Sequence, residues 1–72
     1  MIQENFENMF LKIREENPKN KIILKYGAEK LILDGEANII IENGWLKYIN
    51  INGGTVRYID IASIYEVEVN KD

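Results

Sequence analysis

The side chains here that could do chemistry are carboxylates, amines, phenols, hydroxyls and one indole, because the chain has no histidine and no cysteine. Their absence removes the commonest general base, the commonest zinc ligand and any thiolate nucleophile. General acid–base work needs a tunable group placed beside a substrate. The aspartates and glutamates are scattered with no motif spacing, and Ser63 has no base to activate it. Glu66 and Glu68 share one face of an alternating segment. Such a pair can bind calcium or magnesium, or it can line a solvated strand face. Gly53-Gly54 is too short for a phosphate-cradling loop and does not open a helix. The residues therefore predict neither an enzyme, nor a metal centre, nor a cofactor.

Binding chemistry is better represented. Tyr26, Trp45, Tyr48, Tyr58 and Tyr65 all fall in segments of strand character. Exposed aromatics near Arg or Lys make a stacking platform for single-stranded nucleic acid. The same residues can instead fill the half-buried face of a sheet with their polar tips in water. Trp45, Lys47 and Ile49 alternate onto one face of their segment, Leu46 and Tyr48 onto the other, and Arg57 faces opposite to Tyr58. The densest positive region is Lys12, Arg14, Lys19 and Lys21, diluted by Glu15 and Glu16. It reads either as a phosphate-touching rim or as cations complementing a helix C-terminus.

These residues need elements to position them. Ile2, Phe6, Met9, Phe10 and Ile13 recur at helical spacing and predict a helix over 2–16, ended by Asn17-Pro18. From Ile22 the period changes to two. Strands are expected at 22–26, 30–33, 38–42, 45–51, 55–61 and 65–69, with a corner or single helical turn at 61–64. Gly27-Ala28, Asp34-Gly35 and Asn52-Gly53-Gly54 are turn signals, and Asn43-Gly44 is the strongest hairpin signal in the chain. The tail Asn70-Lys71-Asp72 is expected to fray. The expected fold is α+β in one domain, 1–72. An N-terminal amphipathic helix packs on a β-meander (22–69), a small, strongly bent antiparallel sheet or barrel of five or six strands.

So short a chain has a thin core. With no disulfide or Cys/His metal site to help, self-association is the remaining way to enlarge it. Ile59, Ile61, Tyr65, Val67 and Val69 are the expected oligomer edge, since no proline guards their strands. The net charge of −3 argues against a surface dominated by phosphate contacts. No apolar run approaches the roughly 20 residues of a membrane span. The first residues lack the basic-then-apolar order of a signal peptide. A cytoplasmic homo-oligomer binding RNA or a protein is the expectation.

Three stretches carry a family resemblance. Ile2-Gln3-Glu4-Asn5-Phe6-Glu7-Asn8 is similar to Leu-Gln-Asp-Pro-Phe-Leu-Asn, the helix opening of the Sm-like/Hfq family. Ile22-Ile23-Leu24-Lys25-Tyr26-Gly27 resembles that family's first strand and turn, and Tyr58-Ile59-Asp60-Ile61-Ala62-Ser63-Ile64 lies where it carries Tyr-Lys-His-Ala-Ile-Ser. The resemblance implies a helix before five strongly bent strands, subunits joined edge to edge into rings, and RNA as ligand. It implies that Gln3 touches uridine and that Asn8 and Lys12 belong to a rim; Arg14, Lys19 and Lys21 join the expected RNA contacts by their charge alone. The chain also departs from the pattern. Leu11 replaces a basic rim residue, Ile59 and Asp60 replace the Lys-His pair of the uridine pocket, Ile23 replaces an adenine-stacking tyrosine, and the helix-to-strand connection is longer. The alternative reading is a protein-interaction module, an adaptor or an inhibitor of a larger enzyme, using a sheet edge or an acidic face.

Overall fold

A computed structural model describes residues 1–34, 37–50 and 53–71. The residues Gly35, Ile51, Asn52 and Asp72, assigned above to turns, a strand end and the tail, lie outside these. The helix α1 spans Gln3–Glu16. Its first-turn carbonyl ladder starts at Ile2, whose C=O accepts from the Phe6 N–H at 2.9 Å. It ends where the Asn17 backbone N–H and side-chain amide both donate to the Ile13 carbonyl (2.9 and 3.0 Å) and Pro18 forbids another turn. Phe6 and Phe10, one turn apart, stack with ring centroids 5.4 Å apart and are completely buried.

Six strands follow: β1 Lys21–Tyr26, β2 Glu29–Leu33, β3 Asn38–Glu42, β4 Trp45–Asn50, β5 Thr55–Asp60 and β6 Ile64–Asn70. A 3₁₀ turn, Ile61–Ser63, separates β5 from β6. All pairing is antiparallel, in two three-stranded sheets ordered β2-β1-β6 and β3-β4-β5. This corrects the simple meander. Successive strands β2 and β3, and β5 and β6, are not paired; the chain changes sheet at each of those points. Nor do the ladders close into a barrel among the described residues. The physical reason at the second crossing is local. The Asp60 carboxylate accepts from the Ala62 N–H (3.0 Å) and the Ser63 hydroxyl donates to the Asp60 carbonyl (2.7 Å), so the backbone there turns instead of laddering.

One core lies between the sheets and under α1. Period-two alternation sends Ile22 and Leu24 of β1 inward opposite Leu33 and Leu31 of β2. Leu46 of β4 and Ile59 of β5 do the same in the second sheet, and Ile61 and Ile64 of the crossing complete the cluster with the two phenylalanines. The helix touches β3 and the 3₁₀ turn. Its start is tied to the β3–β4 turn by Gln3, whose side-chain oxygen accepts from the Gly44 N–H, and to the 3₁₀ turn by the Met1 ammonium, which donates to the Ala62 carbonyl (3.1 Å). Its end is tied by Arg14, which donates to the Ala37 carbonyl (3.2 Å) with its guanidinium 5.6 Å from the Phe10 ring centre.

Candidate functional site on the outer face of the second sheet

The β3–β4 hairpin positions the face. Asn43 and Gly44 both have positive φ, 52° and 81°, the backbone of a type I′ turn. That two-residue turn fixes the register Glu42↔Trp45, Ile40↔Lys47 and Asn38↔Ile49. The β4–β5 pairing adds Asp60 opposite Trp45, Tyr58 opposite Lys47 and Val56 opposite Ile49. Because Leu46 points into the core, its neighbours Trp45 and Lys47 must point out. The outer face therefore carries three rungs across the sheet: Glu42–Trp45–Asp60, Ile40–Lys47–Tyr58 and Asn38–Ile49–Val56.

Two large aromatics stand in the open here. Trp45 is 47% exposed and Tyr58 61% exposed, and they are diagonal neighbours on adjacent strands. The Lys47 ammonium lies 5.8 Å from the centre of the Tyr58 ring, within cation–π range. Glu42, Asn43, Trp45, Lys47 and Tyr58 line a groove of about 340 Å³. Ile40 and Val56 extend the apolar surface beside it. The face offers flat π surfaces, one cation, one free carboxylate and one turn amide. No group of three or more metal-ligating side chains exists among the described residues.

The helix and connector residues do not gather into a site. Gln3 and Arg14 face the body of the molecule and are engaged there. Asn8 and Lys12, one turn apart, lie on the opposite, exposed face of α1, while Lys19 sits in the connector and Lys21 opens β1. The edge residues also separate. Ile59 and Ile61 are 4% and 1% exposed, because α1 and the opposing sheet cover the bulk that the sequence left without a cover; they are core and not edge side chains. The register slips between β1 and β6, where Lys25 pairs with Glu66 but Tyr26 with Ile64, leaving Tyr65 as the extra residue of a bulge. Tyr65 is exposed, whereas Val67 and Val69 are half-buried. Among the described residues, the backbones of β5 and β6 each keep one side without a strand partner.

Glu66 and Glu68 do share a face, and Lys25 lies between them, its ammonium 2.8 Å from Glu66 Oε2 and 2.7 Å from Glu68 Oε1. The hydrogen bonds it donates to Glu66 and Glu68 hold Lys25 well above the usual lysine range. Hydrogen bonding with Glu66 and then with Lys25 lowers the Glu68 carboxyl. Lys25 thus pairs with both carboxylates at once. Tyr26 and Tyr48 pack against the core, and Arg57 donates to the Tyr26 hydroxyl (2.5 Å). The alternation of Trp45, Lys47 and Ile49 was visible in the sequence; the position of Tyr58 beside them depends on the β4–β5 register. No described helix is long and apolar enough to cross a membrane. No protein-family model, curated protein or solved structure matches this chain.

Proposed function

We propose that the chain is a non-enzymatic, cytoplasmic RNA-binding module of Sm-like type, whose copies join through the β5 and β6 edges and whose second sheet stacks the bases of single-stranded RNA. The observation that carries this reading is the pair Trp45 and Tyr58, exposed as diagonal neighbours with Lys47 on the same rung as Tyr58. Large aromatics seldom stand open in neighbouring positions without a partner, and every base offers a π face to them. The order of elements supports the Sm-like part to this extent, that a helix precedes all the strands.

Fluorescence anisotropy of a labelled, mixed-sequence single-stranded RNA tests it. Stacking is worth about 1–3 kcal/mol per base, so a Trp45→Ala/Tyr58→Ala double variant should bind at least tenfold more weakly. Undiminished binding would remove the platform from the account.

A second reading rests on a different observation. Glu42 and Asp60 flank Trp45 on both sides, and the whole chain carries a net charge of −3. That arrangement suits a basic protein partner, with the unpaired β5 edge offering strand addition. No binding of RNA by the wild type in the anisotropy assay, together with binding of a Lys/Arg-rich peptide, would favour it.

A further inference from the structure

The acidic residue in the groove is at odds with phosphate and calls for a different role. Glu42 lines the groove with Trp45 as its direct cross-strand neighbour, and it has no hydrogen-bond or ion-pair partner among the described residues. Asp60, on the other side of Trp45, is already committed to the Ala62 N–H. A carboxylate accepts hydrogen bonds and donates none. Among the four bases only guanine presents two adjacent N–H donors on one edge, N1–H and the N2 amino group. Adenine and cytosine place a ring-nitrogen acceptor beside their amino group, and uracil flanks N3–H with two carbonyls; each would turn lone pairs toward the carboxylate.

We propose that the groove takes a guanine base carried by single-stranded RNA, stacked on Trp45, with the Glu42 carboxylate accepting from N1–H and N2–H. Asn43, at the same mouth, supplies an amide donor suited to O6. Lys47, beyond Trp45 on the same strand face, is left for the phosphates. The groove volume of about 340 Å³ lies at the lower end of small-ligand sites, as suits a single base. The inference rests on the RNA-binding reading and adds the identity of the base.

Trp45 is the only tryptophan, so its intrinsic fluorescence reports on the groove directly. The experiment titrates the wild type and Glu42→Gln with three probes: oligouridine, the same oligomer with one central guanosine, and guanosine monophosphate. Glu42 is exposed, so the variant should melt as the wild type does. A good bidentate base contact discriminates by roughly tenfold. The wild type should therefore prefer the guanosine-containing oligomer about tenfold over oligouridine, and Glu42→Gln should erase that preference, binding the two oligomers alike. Equal affinity of the wild type for both oligomers would overturn the guanine pocket and leave the RNA platform standing. No quenching by either oligomer would overturn both. Guanosine monophosphate binding as tightly as the guanosine-containing oligomer would overturn RNA as the source of the base.

Discussion

Trp45 and Phe10 show how differently two large aromatics serve this chain. Phe10 is wholly enclosed among Phe6 and the strand residues of the core. Phe10→Ala should cost about 3–5 kcal/mol, a large share of what so small a domain has; a denaturant midpoint close to the parent's would mean that α1 does not dock as described. Trp45→Ala removes a side chain that is half in water. It should change stability by at most about 1 kcal/mol while weakening RNA binding several-fold or more, and thermal melts alongside anisotropy would separate the two effects. Salt adds a further check. On the RNA reading, with Lys47 the only cation lining the groove among the described residues, few phosphates should be contacted. The logarithm of affinity should fall with the logarithm of salt by a slope of only about −0.7 to −1.4, one or two phosphates' worth. The inward Leu46 and outward Trp45 and Lys47 were legible from alternation alone. Their closeness to Tyr58 was not, because cross-strand neighbours depend on how many residues the β4–β5 loop consumes. The intramolecular partners of Gln3 and Arg14 were hidden for a related reason: a polar side chain at a helix flank reads as solvent-facing until the partner carbonyl or N–H from a distant segment is known.

Among the elements, the β3–β4 hairpin matters most, because it sets the register of the whole face and also meets both α1 and the crossing. Its Gly44 N–H donates to Gln3, and its Gly44 carbonyl accepts from the Ile61 N–H at 3.0 Å. A β-carbon at Gly44 would meet no atom within 4 Å, so the penalty of Gly44→Val lies in the positive φ itself. Such strain costs about 1–3 kcal/mol, and a chemical denaturation curve reads it. An unchanged midpoint would contradict the turn. On the first sheet, the Lys25 clasp gives a pH signature. Lys25 is raised, so its contribution is present below the ordinary lysine value of about 10.4 and is lost as pH climbs through the higher folded value. Glu68 is lowered, so its contribution is present above about 4.3 and is lost as pH falls through the lower folded value. Both effects are small on an exposed face. Lys25→Met should melt slightly lower than the wild type at neutral pH, and the gap should narrow in acid as Glu68 protonates. A gap of constant size down to strong acid would show that the ion pairs are not its origin. The Asn43-Gly44 turn and the helix stop at Asn17-Pro18 announced themselves by residue type. The bulge at Tyr65 carried no such signal, since nothing in Ile64-Tyr65-Glu66 distinguishes a slipped register from a regular one.

At the scale of the whole molecule, one helix and two three-stranded sheets enclose a single cluster of ten buried residues, with no buried polar or charged side chain among the described residues. The helix-then-strands order and the α+β class could be read from the change of period at Ile22. The division into two sheets could not, because a corner and a hairpin use the same small and polar residues. The edges of β5 and β6 stay open, and on the Sm-like reading they meet in neighbouring copies; light scattering at low micromolar protein should then give a mass several times that of one chain, and a monomer at hundreds of micromolar would sink the ring. The claim on which the functional account turns is narrower, that the outer face of the second sheet is where RNA sits. Amide and indole NMR shifts of the labelled protein, followed as single-stranded RNA is added, test it most directly. The account predicts the largest changes at the Trp45 indole N–H and at the backbones of Glu42, Asn43, Lys47 and Tyr58. Changes gathered instead at Asn8, Lys12, Lys19 and Lys21, or none at any ratio of RNA to protein, would contradict it.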